Sequence, residues 1–266
     1  MSRLITVHDL NISFSSELGT TTAVKHLDFE IRRGEVTALV GESGSGKSVT
    51  ANSLMRLLPA SAKIEGEIKL STERGEVDIV QLAERDELLR EIRGGQISMV
   101  FQEPMTALSP VHTIGDQVSE AILCHQEVDQ ATAWQMAEDM LGSVGIEDPA
   151  VAMHQYPFQF SGGMRQRAVI AMALVCQPAL LICDEPTTAL DVTVQAEILV
   201  LIRTLHQALG NAVLFITHDL AVVAQIADRV LVMHQGTIVE EGPVRQILKS
   251  PSHPYTQKLL SSVPQL

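Results

Sequence analysis

Val36-Thr37-Ala38-Leu39-Val40-Gly41-Glu42-Ser43-Gly44-Ser45-Gly46-Lys47-Ser48 joins a short apolar, β-branched run to a glycine-rich octet that ends in Lys-Ser. The run has the makeup of a strand buried on both faces of a parallel sheet. The octet satisfies the phosphate-loop pattern and stands where that pattern must stand, between such a strand and a helix. Its glycines let the backbone turn several N–H groups toward one anion, and the positive end of the following helix adds to the field. Lys47 then bridges the β- and γ-phosphates of a nucleoside triphosphate, and the Ser48 hydroxyl holds Mg²⁺.

Upstream, Leu4 to Phe14 and Ala23 to Ile31 alternate with period two and read as an antiparallel pair that ends at the turn Arg32-Arg33-Gly34-Glu35. Downstream, Glu84 to Arg93 reads as helical and Gln96 to Phe101 as a strand ending at Gln102. Thr113 to Val144 is helical and polar-rich, with Pro149, Pro157 and Gly162-Gly163 as punctuation, so this middle stretch reads as an inserted helical lobe. Beyond it strand and helix alternate: helix Met164 to Val175, strand Leu180 to Asp184, helix Val194 to Leu209, strand Ala212 to Thr217, helix Leu220 to Ala227 and strand Arg229 to Met233. Alternation of that kind predicts a parallel sheet covered by helices. Pro243 to Leu266 reads as a short appendage of one or two helical turns.

Leu180-Leu181-Ile182-Cys183-Asp184-Glu185 is an apolar strand with charge only at its carboxyl end, the end at which open α/β sheets bind ligands. Asp184 is the candidate for the Mg²⁺ shell and Glu185 for the general base that polarises an attacking water.

Phe160-Ser161-Gly162-Gly163-Met164-Arg165-Gln166-Arg167 resembles the signature motif of the ABC transporter ATPases. A hydroxyl and free N–H groups at a helix start suit an anion, the same device as the phosphate loop. Family ATPases form a head-to-tail dimer in which this motif closes on the γ-phosphate held by the partner's loop, so the resemblance implies that Ser161, Gly162 and Gly163 bind ATP in trans. Gln102 resembles the Q-loop glutamine, near Mg²⁺ and the attacking water; Ala189-Leu190-Asp191 resembles the D-loop at the dimer interface; His218, directly after a strand, resembles the switch histidine of the γ-phosphate. Phe14, which closes the first strand, is the expected adenine-stacking aromatic. Gln102 through Pro110, Tyr156-Pro157-Phe158-Gln159 and His253-Pro254-Tyr255-Thr256-Gln257 look like the peptide, opine and nickel uptake subgroup. Phe158 stands where the subgroup often has histidine, and Met164 replaces the glutamine of the broad family signature.

The resemblance implies an α/β fold: a P-loop (RecA-like) core with a parallel sheet, an N-terminal antiparallel β-subdomain and an inserted helical subdomain. Residues 1–240 form the ATPase domain, with the helical insert at about 103–163, and 241–266 the C-terminal segment of the subgroup. It implies an ATP hydrolase with ATP and Mg²⁺ as its cofactors, powering an importer of peptides or of nickel or a metallophore. An accessory ATPase of phosphonate breakdown, outside transport, is the alternative. Expected partners are two transmembrane permease subunits, docked on Gln102 through Asp116, a second related ATPase (a heterodimer in preference to a homodimer) and, indirectly, an extracytoplasmic solute-binding protein. The expected location is peripheral, at the cytoplasmic face of the inner membrane. Many peptide-type members continue into a cysteine-bearing segment associated with an iron-sulfur cluster; the sequence to Leu266 holds none, which weighs against peptide cargo.

Composition agrees with a folded protein: 266 residues, 45% hydrophobic and 19% charged, enough for a sizeable core. A net charge of -13 is the wrong sign for coating nucleic acid, so no nucleic-acid partner is expected. The longest apolar stretch, Ala168 to Cys176, is well short of the about 18 residues that a membrane span needs. Residues 1–10 lack an apolar signal core, which argues against secretion, and three cysteines, Cys124, Cys176 and Cys183, fit a reducing compartment.

Overall fold

The computed structural model describes residues 2–17, 19–102, 107–188 and 190–261. The chain divides into two compact units: residues up to Leu89 together with those from Ala212 onward, and Arg90–Asn211.

The first unit holds two groups of strands. β1 (Arg3–Ser16) and β2 (Gly19–Arg32) are antiparallel, and β4 (Ala62–Thr72) and β5 (Gly75–Asp78) extend that sheet in the order β2-β1-β4-β5. Alternation explains it: Ile5, Val7, Leu10 and Ile12 of β1, Leu27 and Ile31 of β2, and Ile68 and Leu70 of β4 are buried. Each such side chain contributes about 1.5–3 kcal/mol on leaving water. β3 (Val36–Val40) is buried at every residue and lies parallel between β8 (Ala212–Thr217) and β9 (Arg229–His234), with β10 (Thr237–Pro243) antiparallel on β9. A strand covered on both faces has no polar side to show, which is why its sequence is continuously apolar. α1 (Lys47–Leu54) follows the glycine-rich loop, α8 (Leu220–Ile226) follows β8, and α9 (Val244–Lys249) and α10 (Pro254–Ser261) follow β10. Leu220 and Val223 of α8, Ile247 of α9 and Tyr255 of α10 share one core with Ala38 and Val40 of β3. The C-terminal segment is therefore packed into the unit.

In the second unit, β6 (Ile97–Val100) and β7 (Leu180–Asp184) are parallel. Its helices are α3 (Ile114–Leu123), α4 (Gln130–Ser143), α5 (Pro149–Ala152), α6 (Gly162–Leu174) and α7 (Val192–Leu209). Each of the longer ones starts at a side-chain cap, the device that satisfies first-turn N–H groups. Thr113 and Asp116 form a reciprocal capping box at α3, and Asp129, Ser161 and Asp191 cap α4, α6 and α7. α3 and α4 approach closely, because a Cβ on Gly115 would lie 2.7 Å from the Trp134 ring.

The buried strands Val36–Val40, Leu180–Asp184 and Ala212–Thr217 match the sequence reading residue for residue. The helix expected at Glu84 to Arg93 is shorter: α2 covers Glu87–Glu91, and the chain leaves the helix at Arg93 and Gly94, which have non-helical dihedrals. β4, β5 and β10 were not legible, and α6 begins two residues before the expected Met164 because Ser161 is its cap. Among the described residues no helix is long and apolar enough to cross a membrane.

Candidate functional site

The phosphate loop leaves the first unit's sheet at the carboxyl end of β3. Val40 pairs with Thr217 of β8 and with Val232 of β9, so Gly41, His218 and Met233 emerge side by side where such sheets present their ligand sites. The loop fits because two residues lack a side chain. A Cβ on Gly41 would lie 2.2 Å from the Met233 carbonyl oxygen. Gly46 has φ +107, and its Cβ would stand 2.8 Å from both the Ala23 carbonyl oxygen and the Met233 Cε. The Gly236 N–H donates to the Ser45 carbonyl (3.0 Å) and the Glu42 N–H to the Tyr255 hydroxyl (3.0 Å), so β10's turn and α10 both support the loop.

Lys47 is 6% exposed and curls back on the loop, its Nζ donating to the carbonyl oxygens of Gly41 (2.9 Å) and Glu42 (3.0 Å). Gly46, the N-cap of α1, offers no side chain to the first-turn amides, and the Ser45 Oγ is buried with no hydrogen-bond partner. Helix-start N–H groups, an ammonium and an orphaned hydroxyl around an open Gly44 make a donor set for phosphate oxygens. Ser43 and Ser48 lie in the same loop and helix start. His218 is exposed at the end of β8, and Asp219 beside it caps α8. Phe14 is half-buried in β1, opposite Thr21 of β2 and Ala62 of β4.

In the second unit the β6–β7 register pairs Val100 with Cys183, so Gln102 and Glu185 leave the two strands together. Gln102 Nε2 donates to Glu185 Oε2 at 3.5 Å, and the Thr188 hydroxyl donates to the same oxygen at 3.0 Å. Glu185 has φ +46, a left-handed conformation uncommon for a residue with a side chain and a frequent mark of functional positions. Asp184 before it is 3% exposed. Burial pushes the Cys183 thiol beneath them upward, so that cysteine is an inert core residue.

Ser161, Gly162, Gly163, Met164 and Asp191 border a hollow of about 440 Å³, to which Arg167 adds a guanidinium. Both candidate side chains there also work as caps: Ser161 accepts the Met164 N–H at 3.3 Å, and Asp191 accepts those of Thr193 and Val194 at 3.0 Å each. Arg167 donates to Glu197 (2.9 Å) and to the Val144 carbonyl (2.7 Å). Ala189 of the D-loop match and residues 103–106 of the expected docking segment lie outside the described residues. Further along that segment, Val111 is 73% exposed.

Thr188, Arg167 and Tyr255, which the structure brings to these positions, were not legible as candidates in the sequence. Thr188 had a local signal, a hydroxyl three residues after the key carboxylate. Tyr255 lies in the His253–Gln257 motif, but no local pattern ties it to Glu42.

The family model described as ABC transporter matches residues 24–188, and the one described as the oligopeptide/dipeptide transporter C-terminal region matches residues 239–266. The glutathione import ATP-binding protein GsiA of Escherichia coli O1:K1 / APEC is 51% identical over 264 residues, which is 99% of this chain and 42% of that protein. The chain thus spans less than half the length of this curated relative. Among solved structures, the dimeric post-hydrolysis state of the ATP-binding cassette MJ0796 bound to ADP and Pi superposes with a TM-score of 0.78 at 26% identity, covering 91% of this chain and 99% of that one. The cbiO1 chain from Clostridium perfringens, part of the cbiONQ ABC transporter complex, gives 0.75 at 27% identity, covering 94% and 92%.

Proposed function

Because the chain belongs to the ABC transporter family as an ATPase cassette, we propose that it hydrolyses ATP to power the import of small peptides through a membrane complex. The observation that carries the catalytic part is the Glu185 carboxylate, held by Gln102 and Thr188 in a left-handed backbone directly after the buried Asp184. A carboxylate fixed by two donors keeps one orientation, as a general base for water must.

In this reading the loop from Gly41 to Ser48 receives the phosphates, Lys47 keeping its hydrogen bond to the Gly41 carbonyl while its ammonium reaches phosphate oxygens, and Phe14 stacks on the adenine. Ser48 in the first unit, and Asp184 and Gln102 in the second, each carry an oxygen that would suit Mg²⁺, an ion that would neutralise phosphate charge. Such donors suit a hard cation that takes one or two carboxylates plus phosphates. His218 reads the γ-phosphate. Ser161, Gly162, Gly163 and Asp191 face a second ATPase subunit, the partner being a related chain or another copy. The cycle is two-state: the triphosphate joins two surfaces, and its loss removes the contacts of Lys47, Ser161 and His218 together.

Two permease subunits are the proposed membrane partners, contacted through Gln102 to Asp116 from the cytoplasmic face. Peptide cargo is favoured over nickel by the C-terminal region match and by the glutathione importer relative. The test compares wild type with Glu185→Gln for ATP hydrolysis by the purified protein, and for cellular uptake of labelled glutathione, dipeptides and nickel. Expected are hydrolysis down at least about 100-fold, in the range of a lost general base, and selective loss of peptide uptake. Hydrolysis by the variant at the wild-type rate defeats the catalytic reading; selective loss of nickel uptake, or no change in uptake, defeats the cargo reading.

A further inference from the structure

The C-terminal segment returns to the phosphate loop through one side chain. Tyr255 of α10 is 8% exposed and stacks on His234 of β9 with ring centroids 3.9 Å apart and planes 28° from parallel. His234 follows Met233, whose carbonyl lies against Gly41. The ring is thus seated beside the start of the loop, and its hydroxyl oxygen accepts the Glu42 N–H at 3.0 Å. Burial pushes the Tyr255 hydroxyl upward, so the oxygen stays neutral.

The acceptor is placed on an informative atom. The Glu42 N–H and the Gly41 carbonyl are two edges of one planar peptide group, and that carbonyl takes a hydrogen bond from Lys47 Nζ at 2.9 Å. Anchoring one edge of the plane fixes the direction of the other. A peptide flip at this point swings the carbonyl away from the Lys47 ammonium and turns an N–H toward it, which repels the charge. No residue between 43 and 46 makes that constraint; it comes from a tyrosine 213 positions away.

The tyrosine is itself held at two places. Glu240 on β10 accepts the Ser252 N–H (2.7 Å), the Ser252 hydroxyl (2.8 Å) and the His253 N–H (3.1 Å), and His253 Nδ1 accepts the Tyr255 N–H (3.1 Å). Its ring also lies in the core of Ala38, Val40 and Ile247. Both the backbone and the ring of Tyr255 are set before the hydroxyl reaches the loop.

We infer that Tyr255 is a positioning residue for ATP binding: its hydroxyl orients the Gly41–Glu42 peptide and, through it, the Lys47 ammonium, so the C-terminal segment tunes the phosphate loop. The inference rests on the ATPase reading above and adds to it a job for the subgroup's C-terminal segment inside the same unit. A constraint on the ground-state loop acts on bound ATP and on the transition state alike, so its removal raises KM and leaves kcat in place.

The test is Tyr255→Phe in the full chain, which keeps the ring and its stacking and deletes only the oxygen. Expected are a KM for ATP, and a Kd for Mg²⁺-ATP by equilibrium dialysis, about 3- to 10-fold higher, the loss of one neutral hydrogen bond. kcat should stay within about twofold. Amide hydrogen exchange at Glu42 should be slow in the wild type and fast in the variant. A purely structural role lowers the unfolding temperature while leaving KM and Kd alone, and that result overturns the inference. Fast exchange at Glu42 in the wild type overturns it too, without any variant having to fold. If the wild type neither binds nor hydrolyses ATP, the ATPase reading falls first, and this inference with it.

Discussion

Replacing Glu240 by Gln should loosen the C-terminal segment by a measurable and pH-dependent amount. Burial works to raise the pKa of this carboxyl, but the N–H of Ser252, the nearby Thr256 side chain, the Ser252 hydroxyl and the N–H of His253 together bring it from 4.5 down to about 2. A displacement of that size corresponds to about 3 kcal/mol of preference for the ionised form in the folded state. Glu240 is partly exposed, and water screens the interaction, so a net contribution on the order of 1–2 kcal/mol is expected. The sign follows from the direction of the shift: a carboxyl depressed on folding stabilises at pH above its unfolded value, and the stabilisation is lost as pH falls from 4.5 through about 2. Gln removes the charge, and its NH₂ would face the His253 N–H, donor against donor. Urea unfolding of wild type and Glu240→Gln should show a gap of about 1–2 kcal/mol at pH 7. The gap should stay the same at pH 5 and narrow below pH 4. Carbon-13 NMR of the Glu240 carboxyl should show it still ionised at pH 4. A gap under about 0.5 kcal/mol at neutral pH, the ordinary scatter of surface substitutions, or a carboxyl that titrates at its usual value, would refute the tether.

Two further outcomes come from the site itself. Thr188→Val should lower kcat for ATP by about 3- to 10-fold, with Thr188→Ser restoring most of it, because the hydroxyl and not the methyl holds Glu185; equal rates for Val and Ser in steady-state assays would exclude that role. Gly46→Ala should cost about 2–4 kcal/mol of stability, from the left-handed backbone and the crowding against the Ala23 carbonyl and Met233 Cε; a loss below about 1 kcal/mol by denaturant titration would show that the loop can shift to make room.

Much of this molecule was legible as text because a buried parallel strand must be apolar at every position and must end where charge begins. Val36–Val40, Leu180–Asp184 and Ala212–Thr217 announce themselves in that way, and the glycine octet after the first of them names its ligand chemistry through residue types that only a phosphate cradle needs. β4 was hidden because Lys63, Glu65, Glu67 and Lys69 occupy its outer face and Gly66 interrupts the inner one, so the run reads as a polar loop until β1 and β5 pair with it. The start of α6 was misplaced because Ser161 serves as its cap, which no periodicity records.

Residue types alone nominated the candidate groups: Lys47 and Ser48 through one short local motif, Asp184 and Glu185 through a strand end read together with that motif, and His218 through its resemblance to the family's switch histidine. Which groups touch was settled by strand register. Gln102 meets Glu185 across 83 residues because β6 and β7 run parallel with Val100 opposite Cys183. Tyr255 meets Glu42 across 213 residues because β9 and α10 bring a tail segment to the end of β3. The physical reason is range: propensity, patterning and capping act over a few neighbours along the chain, whereas a hydrogen bond between distant loops exists only once the sheet has set where each strand ends.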